Sequence, residues 1–152
     1  TRRAAALRSP VSRSSARAGA LLGHDFCAIS LSDLLTPRDA ILARLRAAAA
    51  GDFVVALYNP VSKRRRTLLD AAREILLDHR PADTPVLLAS DLGRPAERLR
   101  HRTLETLRTE EVDMLTTVII GARASRAFAT GDQSAGAGGA RLYTPRGYAA
   151  KA

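Results

Sequence analysis

Three stretches of this 152-residue chain carry side chains able to do chemistry. The first joins Tyr58 and Asn59 to four cations shortly after them, Lys63, Arg64, Arg65 and Arg66. An aromatic, an amide and clustered cations suit an anionic ligand, because such cations donate charge-assisted hydrogen bonds to carboxylate or phosphate oxygens. A plain solvated face is the alternative. The second stretch, Ser30, Ser32 and Asp33, ends an apolar run and reads either as ligand contacts or as a turn and cap. The third is His24, Asp25 and Cys27. A metal would need further ligands, and His79 and His101 lack supporting spacing, so no metal site is expected. Cys27 lies inside an apolar run and reads as an inert core thiol. The Gly-x-Ser-x-Gly elbow, the P-loop and the dinucleotide fingerprint are all missing from the sequence, which argues against those chemistries.

These residues must be positioned by alternating strands and helices. Phe53 to Tyr58 is a short apolar run between Gly51-Asp52 and Asn59-Pro60, the pattern of a strand buried on both faces. Beyond Pro60 the period changes. Ser62 is a candidate cap, Lys63 to Arg66 fall in a first helical turn, and Leu68, Ala72, Ile75 and Leu76 share one stripe up to Arg80-Pro81. Cations in a first turn oppose the helix dipole, so a ligand would explain them. Phe26 to Leu31 predicts a strand, followed by a helix with Thr36 as cap, Pro37 at its first position and Gly51 at its end. Val86 to Ala89 and Thr116 to Ile120 predict two more buried strands. Glu97 to Thr103 favours an edge strand, 104–115 a short helix capped at Thr109, and 16–22 the end of a helix. Residues 131–139 read as a Gly/Ala/Ser loop and 141–148 as a possible last short strand. The sum is an α/β fold, a mixed sheet flanked by helices.

A chain of this length makes one domain the default. Its composition, 46% hydrophobic and 26% charged, is that of a globular protein. No apolar run approaches a membrane span. The single cysteine excludes an internal disulfide and suits a reducing cytoplasm. A net charge of +9 permits a nucleic-acid partner. The arginines are dispersed, however, and the aromatics are too few for a base-stacking platform.

Four segments resemble one family: GHDFCAISLSDLLTP at 23–37, GDFVVALYNPVSKRRR at 51–66, EEVDMLTTVIIG at 110–121 and YTPRGY at 143–148. They look like the tetrapyrrole methylases of cobalamin biosynthesis, in the branch that methylates precorrin-3B at C17 with ring contraction to precorrin-4. Arg38 departs from that pattern, which usually has an aromatic there. The resemblance implies a two-domain fold holding S-adenosylmethionine between its halves. Residues 23–152 would be the C-terminal domain, and 1–22 a basic, poorly matched segment with the end of a linker helix. Leu57, Tyr58, Asn59, Leu87, Thr116 and Thr117 would then hold the cofactor. Ser30, Ser32, Asp33, Lys63, Arg64, Arg65, Arg66 and Arg146 would meet a carboxylate-rich tetrapyrrole, and His24 is the one candidate proton carrier. The likeness also implies a homodimer of the full-length parent; the single cysteine points to the cytoplasm, and the missing apolar span and scarce aromatics argue against membrane and nucleic-acid partners. The alternatives are an inactive truncated domain and a basic nucleic-acid-binding domain.

Overall fold

The computed structural model describes residues 18–62, 66–129 and 140–146. Eight strands and two α-helices lie within them: β1 (Gly19–Ala20), β2 (Phe26–Ser30), α1 (Arg38–Ala50), β3 (Val54–Tyr58), α2 (Thr67–Leu77), β4 (Pro85–Ser90), β5 (Arg98–Thr103), β6 (Thr116–Ile120), β7 (Arg126–Ala129) and β8 (Ala140–Tyr143), with a 3-10 turn at Thr109–Glu111.

Five strands form a mixed sheet in the order β2-β3-β6-β4-β5. β2 and β3 run parallel, joined through α1. β6 inserts antiparallel between β3 and β4, and β5 closes the edge antiparallel to β4. The carboxyl ends of β2, β3 and β4 therefore share one edge of the sheet with the amino end of β6.

The period of two decides what each face touches. Val55, Leu57, Val86, Leu88, Val118 and Ile120 point into a cluster with Ile41, Leu45, Leu68 and Leu76 of the two helices. Their neighbours Val54, Ala56, Leu87 and Ile119 pack instead with Leu21, Ala122 and Leu142. Leu142 belongs to a second sheet, β1-β8-β7. Both described helices thus cover one face, and a small three-stranded sheet covers the other. The expected helix over 16–22 does not continue past Ala18. Gly19, at φ 132°, sits so close to Leu142 that a Cβ there would meet its carbonyl oxygen, and that close approach lets a two-residue strand pair with β8.

Three further expectations need correction. Thr36 makes no capping hydrogen bond, and α1 starts at Arg38 behind Pro37. Arg38 is exposed and donates from Nη1 to Thr67 Oγ1 at 3.2 Å, tying the starts of α1 and α2 together. Ser62 is no cap either: α2 begins at Thr67, with Arg66 just ahead of it and not in its first turn. Lys63 to Arg65, and the 131–139 loop, lie outside the described residues. Over 104–115 the only helical element is the 3-10 turn, in which Thr109 is the first residue and Arg108 takes the cap position.

Arginines do much of the joining. Arg73 donates to the carbonyls of Leu104 and Glu105, Arg100 to that of Glu111, and Arg108 to those of Glu105 and Leu107. Arg102 forks onto both Glu111 carboxylate oxygens at 2.6–3.1 Å, which holds the Glu111 carboxyl below its ordinary range. Four of the 24 cations, Arg73, Arg100, Arg102 and Arg108, thereby close loops.

Candidate functional site

At the shared edge the sheet opens into a cleft of ≈ 230 Å³ lined by Tyr58, Asn59, Asp91, Leu92, Arg94 and the segment Met114–Thr117. Its floor is made by strand ends. Tyr58 is the last residue of β3 and 44% exposed. Asn59 follows at φ 50° and Asp91, after β4, at φ 53°. Both occupy the left-handed region, where Asn and Asp are tolerated because their short polar side chains bond locally. Non-glycine residues in that region gather at functional corners.

Local bonds fix each corner. The Leu31 N–H donates to the Tyr58 carbonyl at 3.0 Å, and Asn59 Nδ2 reaches Ser30 Oγ at 3.5 Å. Ser30 Oγ also accepts from the Ser32 N–H at 3.2 Å. The Asp91 N–H donates to the Leu115 carbonyl at 3.1 Å. Beneath them, Thr116 is buried, its hydroxyl 2.8 Å from Ser90 Oγ and 2.8 Å from Asp113 Oδ1. Leu34, Leu35, Met114 and Leu115 remain exposed near this edge. A floor in which Ser30, Asn59, Asp113 and Thr116 are hydrogen-bonded, with an apolar rim, is able to seat a flat, partly polar molecule.

The residues singled out from sequence fall into three sets. Tyr58, Asn59, Thr116 and Thr117 come together in the cleft, and half-buried Ser30, Ser32 and Asp33 stand beside it at the end of β2. Leu57 and Leu87 are fully buried, one under the helices and the other under the second sheet, and neither lines the cleft. His24 and Arg146 sit elsewhere. His24 is exposed ahead of Phe26, at the amino end of β2, and Arg146 Nε donates to the Gly23 carbonyl at 2.6 Å. Asp91, Arg94 and Met114 line the cleft without having been singled out. The signal was available: Ser90-Asp91 ends the apolar run Val86–Ala89 just as Tyr58-Asn59 ends the run before it.

The opposite edge holds a second cleft of ≈ 210 Å³, lined by Asp83, Thr84, Pro85, Arg123 and Ser125 to Ala127, and beside it a buried cation ties the chain together. The Arg80 guanidinium, its side chain fully buried, donates to the carbonyls of Gly121 and of Phe53, the latter at 2.5 Å. Asp52 Oδ1 lies 3.9 Å from Arg80 Nε and accepts from the Arg123 N–H at 2.9 Å. Burial lowers the proton affinity of Arg80, and Asp52 opposes that effect. Burial also pushes the Cys27 thiol up, with Arg80 pulling the other way. An inert thiol fits that environment better than a nucleophile. Among the described residues no three or more His, Cys, Asp or Glu side chains gather as a metal site, and no helix is long and apolar enough to cross a membrane.

The chain is similar to known proteins. The precorrin-3B C(17)-methyltransferase of Sinorhizobium sp is 47% identical over 134 residues, covering 88% of this chain and 51% of the relative. The cobalt-factor III methyltransferase of Priestia megaterium is 44% identical over 133 residues, covering 88% and 23%. The crystal structure of the methyltransferase CobJ superposes with a TM-score of 0.74 at 38% identity, over 87% of this chain and 51% of that one. The chain thus spans about half the length, or less, of these proteins. Residues 9–108, which include the Tyr58 and Asp91 corners, match the model described as Tetrapyrrole (Corrin/Porphyrin) Methylases, and the chain belongs to that family.

Proposed function

We propose that this chain is the C-terminal domain of an S-adenosylmethionine-dependent methyltransferase that methylates precorrin-3B at C17 in cobalamin biosynthesis. The observation that carries this reading is the open cleft between the left-handed corners Asn59 and Asp91. At ≈ 230 Å³ it falls below the roughly 300–1,000 Å³ of pockets that enclose a small ligand. It reads as one wall of a site. The half of the relatives' length that this chain does not span supplies the other wall.

The lining fits the cofactor. Tyr58, Met114 and Leu115 offer apolar surface to adenine, and Asn59, Asp91 and Thr117 offer polar groups. When bound, S-adenosylmethionine supplies an electrophilic methyl group on a sulfonium. The chain's own part is to hold the reactants in line and to keep water out. Ser30, Ser32 and Asp33, beside the cleft, face the tetrapyrrole in this reading. The cations at 63–66 clamp its carboxylates, with Arg66 standing before α2. His24 and Arg146 serve at the opposite edge, so a proton carrier for ring contraction is sought in the other half. The lone cysteine and the family resemblance favour a cytoplasmic homodimer.

The test compares the full-length protein with the 152-residue chain alone. S-adenosylhomocysteine is expected to bind the full-length protein at least about tenfold more tightly, because a second wall removes more surface from water. Equal affinity would sink the two-walled reading. Absence of methyl transfer to precorrin-3B by a folded full-length protein would sink the activity.

A further inference from the structure

Asp91 is the one acidic side chain lining the cleft among the described residues. Its side chain is 18% exposed, so it has lost most of its water. The nearest charge is Arg94 Nη1 at 3.9 Å, beyond hydrogen-bond range, on a side chain 60% exposed. Its backbone is fixed on both sides: the N–H is held by the Leu115 carbonyl, and the carbonyl accepts from the Arg94 N–H at 3.0 Å. The group is rigidly presented, partly desolvated and short of donors. Asp113, close by, contrasts with it, because Asp113 Oδ1 already takes the Leu115 N–H at 3.0 Å and the Thr116 hydroxyl at 2.8 Å. A partly desolvated carboxylate with free lone pairs needs donors, and a ligand seated in the cleft is placed to supply them.

We infer that Asp91 is a specificity-determining residue that accepts both hydroxyls of the cofactor's ribose. This rests on the cofactor reading of the cleft given above. Two adjacent hydroxyls match the two oxygens of one carboxylate, and acidic side chains take ribose hydroxyls in the same way in dinucleotide sites. The apolar surfaces of Tyr58 and Met114 line the same cleft, so a flat base attached to that ribose has a wall to rest on.

The experiment titrates S-adenosylhomocysteine, its 2′-deoxy and 3′-deoxy analogues and 5′-methylthioadenosine into the full-length protein by calorimetry. Asp91→Asn and Asp91→Gly are the variants, since both residues accept the left-handed backbone and keep the corner folded. Wild type is expected to lose about tenfold in affinity with each deoxy analogue, and both variants about tenfold with S-adenosylhomocysteine. The variants should no longer distinguish deoxy from parent compound. A deoxy penalty that persists undiminished in them would overturn the assignment. A variant defect that vanishes with 5′-methylthioadenosine would overturn it too, by giving the carboxylate to the ligand's ammonium group. Tyr58→Ala separates the two levels. If it weakens S-adenosylhomocysteine while the Asp91 variants do not, the Asp91 role alone falls. If none of the three changes binding, the cofactor reading falls with it.

Discussion

At the amino edge of β3 a buried guanidinium ties Phe53 to Gly121, whereas at the carboxyl edge Tyr58 and Asn59 border open space. Both edges contain left-handed corners, Asp52 on one side and Asn59 and Asp91 on the other. What differs is the use of charge. Arg80 donates to two carbonyls inside the chain, while its Nε is buried without a hydrogen-bond partner. The Asp91 carboxylate, by contrast, has no donor within hydrogen-bond range among the described residues. In the function proposed above, the carboxyl edge takes the ligand while the amino edge of β3 is tied together by a buried cation.

The division is broken most severely at Arg80. Arg80→Ala would strand two inward-facing carbonyls, each costing roughly 1–3 kcal/mol when left unpaired. A loss of about 3 kcal/mol or more is expected, read as a fall in the urea midpoint. Arg80→Lys should rescue little of it, because an ammonium lacks the planar fork that reaches two carbonyls at once. Tyr58→Ala, on the open edge, is expected to stay within about 0.5 kcal/mol of wild type. Similar midpoints for the Arg80 and Tyr58 variants would erase the comparison.

A smaller effect sharpens it from the open side. Asn59→Ala places a Cβ without a polar partner in the left-handed region and should lose about 1 kcal/mol, while Asn59→Gly should match wild type. Equal stability of the two variants would show that the corner relaxes freely. The smallest expected effect lies at the sheet's outer strand. Both ring nitrogens of His101 on β5 are buried without a partner, and burial lowers the ring's proton affinity. As pH falls below about 6.5 the unfolded chain takes up that proton first. The stability held by the neutral ring is therefore complete above that pH and is lost as pH falls through the lowered folded value. His101→Leu should flatten the decline between about pH 7.5 and about pH 5.5, measured as urea midpoints. An unchanged decline would assign the pH dependence elsewhere.

The buried strands were legible from sequence because each is an apolar run bounded by turn residues: Val54–Tyr58 by Gly51 and Pro60, Thr116–Ile120 by Gly121. The second sheet was only partly so. β1 has two residues and β7 is exposed throughout, so neither leaves a period, and only β8 matched an expected last strand. The start of α2 was misread because Ser62 is the nearest capping residue by type, while the helix begins at Thr67 with no side-chain cap. Tyr58, Asn59, Thr116 and Thr117 could be assembled because strand ends at one edge are neighbours whatever their distance in sequence. His24 was misleading for the converse reason. It is adjacent in sequence to the strand that ends at Ser30, yet it precedes that strand and so lies at its far end.

Strand β6 occupies the middle of the large sheet, with Val118 registered against Leu57 on one side and Leu88 on the other. During synthesis both neighbours emerge from the ribosome well before it. Until the Thr116–Ile120 segment arrives, β3 and β4 carry unpaired, largely apolar flanks that invite association with other nascent chains. Completion of the five-stranded sheet waits for one late, long-range insertion.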